Sequence, residues 1–216
     1  MYNFIASKSL SVFPSIEPIA PIIYLNTFSD EGQKVFEAAK VAGCPPFTLV
    51  AISNLDWNHD MVPWDSPPAF KNAEPCTGGA DDYLRLLIEE IIPTTEKEIA
   101  GAPCWRGIAG YSLAGLFALY AIYQTDLFFR VGSMSGSLWF PGMKEYIWPD
   151  CIYFSLGDKE AKTRNSVLKT VQENTEEIQA FYQSKGIDTV FQLNPGNHFV
   201  QGIERTIAGI QWLLRR

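Results

Sequence analysis

The stretch Cys104–Tyr123, CWRGIAGYSLAGLFALYAIY, constrains this chain more than any other. Trp105–Ala109 is short, apolar and closed by a glycine, the composition of a buried strand. Leu113–Tyr123 is almost wholly apolar and rich in leucine and alanine, the composition of a buried helix. Ser112 stands at the joint, with Gly110 two residues before it and Ala114 two after. Small residues there let a strand turn sharply into a helix, and such a turn lifts the serine hydroxyl above the sheet. That is the pattern of a nucleophile elbow, and it aims the amide of Leu113 at the oxygen of an attacked carbonyl. The pentapeptide alone is a weak signal, because tight strand–helix packing around an ordinary serine needs the same small residues. The rest of the chain has to decide.

On either side of this stretch the pattern is that of alternating strands and helices. Pro21–Asn26 is a continuous apolar run, as in a central parallel strand buried on both faces. Gln33–Ala42 reads as a helix and Phe47–Ser53 as the next buried strand, which together make a parallel βαβ unit. Residues 1–20, carrying Pro14 and Pro18, read as an edge strand or a loose lead-in. Residues 54–79 read as one long loop with Trp57, His59, Trp64 and Phe70, and a loop of that length in a compact domain is usually functional. Gly79–Ile92 has helical spacing, acidic residues in its first turn and Pro93 just past its end. Strands are expected at Phe129–Ser133, Ile152–Leu156 and Thr189–Leu193, and helices at Asn165–Lys185 and Ile203–Leu214. With no linker or repeat, residues 1–216 read as a single domain built on a doubly wound, mostly parallel sheet.

Composition narrows the function by exclusion. A net charge of −7 argues against nucleic acid and anionic membrane as partners. The four cysteines are widely spaced and there are only two histidines, so no zinc cluster is expected. We read four separate, mostly buried thiols in a reducing compartment. The N-terminal segment lacks the basic and apolar regions of a signal peptide, and the longest apolar run, Tyr111–Tyr123, is too short to span a bilayer. The expectation is a soluble cytoplasmic protein that acts on a small molecule without metal or organic cofactor.

A serine nucleophile needs a base, and the base needs an orienting carboxylate. On an elbow fold both follow in chain order, acid then histidine, in loops at the carboxyl ends of later strands. Gly157-Asp158-Lys159-Glu160 follows the strand at Ile152–Leu156, and Asn197-His198-Phe199 follows the one at Thr189–Leu193. His198, one of two histidines in the chain, therefore falls in the required loop. Asp158 and Glu160 are both within reach. The spacing from Gly157 favours Glu160, with Asp158 as a cap for the following turn. A second oxyanion amide is expected just after the first central strand, at Thr27 or Phe28. His59 lies before the elbow and reads as a pocket-lining residue. Gly132-Ser133-Met134-Ser135-Gly136 has Met134 at its centre, so it is no second elbow and reads as pocket wall.

Taken together these pieces resemble the esterase family of α/β-hydrolases that includes siderophore trilactone esterases, S-formylglutathione hydrolase, feruloyl and acetyl esterases and mycolyltransferases. The resemblance runs through Tyr24–Phe28, Asp60–Trp64 as D-x-x-P-W, the GGADDYL segment from Gly78, the elbow Gly110–Gly115, Ser135–Trp139 as SGSLW, Gly157–Glu160 and Gly196–Phe199. It implies an α/β-hydrolase fold, with Ser112 as nucleophile, Glu160 as acid and His198 as base of a serine esterase that cleaves a carboxylic ester or thioester through an acyl-enzyme. The D-x-x-P-W and GGADDYL segments are most similar to the siderophore-esterase branch. Ala114 stands where the family usually has glycine, and Asn26-Thr27 where it has a His-Gly or Asp-Gly pair. The chain is short for the family, which implies a compact form without a large lid and an open pocket. Trp57, Trp64 and Trp139 either hold a planar substrate or only pack. The same residues would also serve acyl transfer to an alcohol, and the same fold can carry a catalytically inactive binding module.

Overall fold

The computed structural model describes residues 2–69, 72–140 and 149–216. Phe70, grouped above with the loop tryptophans, lies outside the described residues. Strand β1 spans Tyr2–Ile5, β2 Lys8–Phe13, β3 Ile22–Asn26, β4 Thr48–Ser53, β7 Arg106–Tyr111, β8 Arg130–Met134, β9 Cys151–Gly157 and β10 Asp188–Asn194. These eight form one sheet in the order β1-β2-β4-β3-β7-β8-β9-β10. From β4 to β10 every neighbouring pair is parallel, and at the other edge β2 pairs antiparallel with both β4 and β1. Two-residue strands β5 (Asp65–Ser66) and β6 (Cys76–Thr77) pair separately.

The apolar run at 22–25 is continuous because β3 is covered on both faces. Ile22 and Tyr24 enter one core with the elbow helix α5 (Leu113–Gln124) and helix α3 (Ala80–Leu86). Ile23 and Leu25 enter the other with α1 (Gly32–Val41) and α7 (Gly202–Leu214). Successive side chains of a strand point to opposite faces, so a strand between two helical layers has no polar face to show. Helix α5 is buried from Leu113 to Ile122, which is why it has no polar stripe.

Four expectations are corrected. Within residues 1–20, Tyr2–Phe13 form a hairpin, turned by Ala6 and Ser7 at φ 45° and 68°. Two consecutive positive φ values match the twist of paired strands, although neither residue announces such a turn. The loop at 54–79 carries α2 (Trp57–Asp60) and the β5–β6 pair. The helix from Ala80 does not stop at Pro93. It widens to a π turn at Leu87–Ile91 and continues as α4 (Ile92–Glu96), so the proline occupies the first turn of a new α-helical segment, where its missing N–H costs least. Helix α6 begins at Val171, not Asn165. The Asn165 side chain instead accepts from the amides of Val167 and Leu168 at 2.9 and 3.1 Å, an alternative to helical bonding. All four cysteines are free; Cys76 and Cys151 are buried, but Cys104 is exposed, contrary to expectation. Among the described residues no helix is long and apolar enough to cross a membrane.

Candidate active site

Strand β7 ends at the elbow. Ser112 has φ 60° and ψ −125°, a conformation that a side chain disfavours and that surrounding bonds must hold. Its N–H donates to Met134 O at 3.1 Å, and its carbonyl accepts from the amides of Gly115, Leu116 and Ser137. A Cβ at Gly110 would lie 2.4 Å from the backbone of Ala114, so the turn demands glycine at 110 and accommodates the methyl group at 114.

Ser112 Oγ lies 3.0 Å from His198 Nε2, and His198 Nδ1 lies 2.8 Å from Glu160 Oε2. A carboxylate only accepts, so Nδ1 carries the hydrogen and, in the neutral ring, Nε2 presents its lone pair to the serine hydroxyl. The other oxygen of Glu160 accepts from Gly157 N at 2.6 Å, Ser135 Oγ at 2.8 Å and Arg205 Nη1 at 3.0 Å. Burial opposes ionisation of Glu160. The hydrogen bond and charge of His198, with the Gly157 amide and Ser135 hydroxyl, outweigh it and hold the carboxyl below its usual value. Asp158 does not cap its own turn; its Oδ1 accepts from Gly196 N at 2.7 Å and so joins the acid loop to the histidine loop.

Arg205 is the residue that sequence reasoning missed. It is 2% exposed and makes five hydrogen bonds. Nη1 reaches Tyr111 OH, Ser135 Oγ and Glu160 Oε1, while Nη2 reaches the carbonyls of Pro195 and Asn197, each at 3.1 Å. A buried guanidinium needs such compensation, and here it ties elbow, acid loop and histidine loop together. Gly157 makes room for it, since a Cβ there would stand 2.3 Å from Gly196 O and 2.8 Å from the guanidinium. Tyr111 adds a bond from its hydroxyl to His198 O at 2.7 Å. The available signal was a single charge within the otherwise uncharged stretch that α7 buries.

Leu113 opens α5, so its N–H is one of the donors that a helix's first turn leaves free. The Thr27 N–H is engaged with Ile52 O at 2.9 Å and its hydroxyl with the same oxygen at 3.1 Å. Thr27 is thus removed as a donor. Among the described residues, Phe28, next in the chain, spends its amide on no such bond.

A cavity of about 800 Å³ opens over these groups, with Ser112, Leu113, Glu160, His198, Thr27, Phe28, Trp57 and Trp139 in its wall. His59 and Trp64 are not in it, contrary to expectation. The His59 ring packs beneath Gly79, where a Cβ would meet it at 2.2 Å, and its Nδ1 pairs with Thr77 Oγ1 at 2.9 Å. Trp64 packs on Phe140 with ring centroids 5.9 Å apart. The serine-rich segment after β8 is pocket wall, through Ser135, Gly136 and Ser137. Among the described residues no group of three His, Cys, Asp or Glu side chains could hold a metal ion.

A mostly parallel sheet, wound on both faces and carrying a strained serine elbow at the end of a central strand, defines an α/β-hydrolase fold. Residues 27–180 match the family model described as "Putative esterase", and the chain belongs to that family of hydrolases. It is similar to the uncharacterized protein YbbA of Bacillus subtilis (strain 168), 24% identical over 212 residues, covering 89% of this chain and 85% of the relative. Among solved structures it superposes on siderophore hydrolase EstA from Aspergillus nidulans with TM-score 0.75 at 18% identity, over 96% of this chain and 90% of that one. An IroE-like serine hydrolase from Shewanella oneidensis gives TM-score 0.77 at 17% identity, over 96% and 76%. At these identities the superpositions establish the fold.

Proposed function

We propose that this chain is a serine esterase that cleaves a small-molecule carboxylic ester through an acyl-enzyme. Ser112 Oγ attacks the ester carbonyl while His198 Nε2 takes its proton. Glu160 holds the imidazole in the required tautomer and stabilises the imidazolium that forms. The amides of Leu113 and Phe28 receive the oxyanion. As the tetrahedral intermediate collapses, the carbon–oxygen bond to the alcohol breaks and His198 returns the proton to the departing oxygen. Water, deprotonated by His198, then attacks the acyl carbon, the bond to Ser112 Oγ breaks as His198 returns the proton to that oxygen, and the carboxylic acid leaves.

The observation that carries this reading is the unbroken series Ser112–His198–Glu160, at 3.0 and 2.8 Å, on a strained elbow in the wall of the cavity. The likeness to proteins named siderophore hydrolases supports siderophore esters as the first substrates to try. Four free thiols support a reducing compartment, and we place the enzyme in the cytoplasm, acting as a single domain.

Intact-mass spectrometry after a fluorophosphonate probe tests the reading. One adduct on the wild-type protein, lost in Ser112→Ala, is the expected result. An unlabelled wild type, at a probe concentration that labels a control esterase, would overturn it.

A further inference from the structure

The segments D-x-x-P-W and GGADDYL lie outside the Ser112–His198–Glu160 series, yet both meet behind the oxyanion loop. Asn26 ends β3, is 1% exposed and lines the cavity directly before Thr27-Phe28. Its Oδ1 accepts from Tyr83 OH at 2.5 Å, and its Nδ2 is buried without a partner among the described residues. Among those residues the carboxamide is therefore held by one bond, the one from Tyr83. Tyr83 belongs to GGADDYL and is 2% exposed, packed on Phe117 with Lys8 Nζ 5.9 Å from its ring centroid. Burial, then the charge of Asp60, pushes its hydroxyl well above the usual tyrosine value, so it remains a donor.

Asp60, from D-x-x-P-W, pairs with Lys8 of β2 in a buried ion pair and accepts from Asp56 N at 2.7 Å. These bonds pin α2, and α2 carries Trp57, whose ring meets Phe28 edge-to-face at 5.1 Å. The oxyanion loop is thus gripped before and after Thr27, by Tyr83 on Asn26 and by Trp57 on Phe28.

We propose that Tyr83 is a positioning residue for the Phe28 amide, acting through Asn26, with the Lys8–Asp60 pair anchoring the other side of the same grip. The proposal rests on the acyl-enzyme reading above. An oxyanion donor that is displaced loses its worth steeply, because its bond is made only as charge develops.

The test is a double-mutant cycle on ester turnover, with Tyr83→Phe, Phe28→Pro (which deletes the donor N–H) and the pair. Tyr83→Phe is expected to lower kcat about tenfold with KM within about twofold. Phe28→Pro should lower kcat about 100-fold, and the pair should fall no further than Phe28→Pro alone. A trifluoromethyl ketone that traps the serine as an oxyanion should bind Tyr83→Phe about tenfold more weakly, a readout that stands if Phe28→Pro does not fold. Multiplying kcat losses, or unchanged affinity for the ketone, would overturn the proposal and leave the esterase reading intact. Full turnover by Ser112→Ala would overturn both.

Discussion

The two sides of the candidate site are built in opposite ways. On the acid–histidine side Arg205 makes five hydrogen bonds, Glu160 accepts from four groups, and Asp158 and Tyr111 add further ties. On the oxyanion side, the amide and hydroxyl of Thr27, both on Ile52 O, and one side-chain bond to Asn26 carry the loop, aided by the Phe28–Trp57 ring contact. The contrast follows from charge. A buried guanidinium and a buried carboxylate are costly unless paired and hydrogen-bonded, so that side is densely tied, with only Nε of Arg205 left without a partner among the described residues. Neutral amides facing a cavity can await a substrate at little cost. Loss of Arg205 should strike folding and activity together, and damage to the oxyanion side should strike activity more than folding.

The largest effect expected is loss of the relay itself. Ser112→Ala and His198→Ala should each lower kcat by about 10⁴-fold or more in an ester-hydrolysis assay, with the thermal midpoint little changed. Glu160→Gln should cost about 10³- to 10⁴-fold, because the imidazole loses its orienting acceptor. Asp158→Asn keeps an oxygen for the Gly196 amide and should stay within about threefold by the same assay. The reverse order would move the acid to Asp158.

The sharpest test of the contrast compares stability across the two sides. Arg205→Leu strands Glu160 without its cation and should destabilise the fold by about 3–5 kcal/mol, or roughly 10 °C in thermal midpoint. Tyr83→Phe removes one neutral donor and should cost about 1–2 kcal/mol. Equal losses by calorimetry would erase the distinction between the sides.

The smallest effect is one of pH. Because the carboxyl of Glu160 is held below its usual value in the folded state, its contribution to stability is complete above about pH 4.3. It is lost as pH falls through the lowered folded value. The stability gap between wild type and Glu160→Gln should therefore narrow on acidification below pH 4, as followed by denaturant unfolding. A gap that widens there would mean that Glu160 is not held as an anion.

Much of this architecture is legible along the chain. The apolar runs at 22–26 and 48–53, the glycine–serine–alanine spacing of the elbow, and the order of Ser112, Glu160 and His198 all reflect demands that act over a few residues. A strand buried on both faces must be apolar throughout, and a strand that turns into a helix within one residue must be flanked by small side chains. Local signals failed where a compensating feature cancelled them. Pro93 did not end its helix because a π turn preceded it, and Ala6-Ser7 made a hairpin turn without glycine or asparagine.

What only the tertiary structure decided are the pairings between distant segments. Arg205 meets Tyr111 across 94 positions, Tyr83 meets Asn26 across 57, and the Ile52 carbonyl takes up the Thr27 amide. Likewise the chain offered Trp57, Trp64, Trp139 and His59 on equal terms, and only packing put Trp57 and Trp139 in the cavity wall and the other two against protein. Residue spacing encodes which face of an element is apolar. Which buried polar group finds which partner depends on how the elements stack, and no periodicity records that.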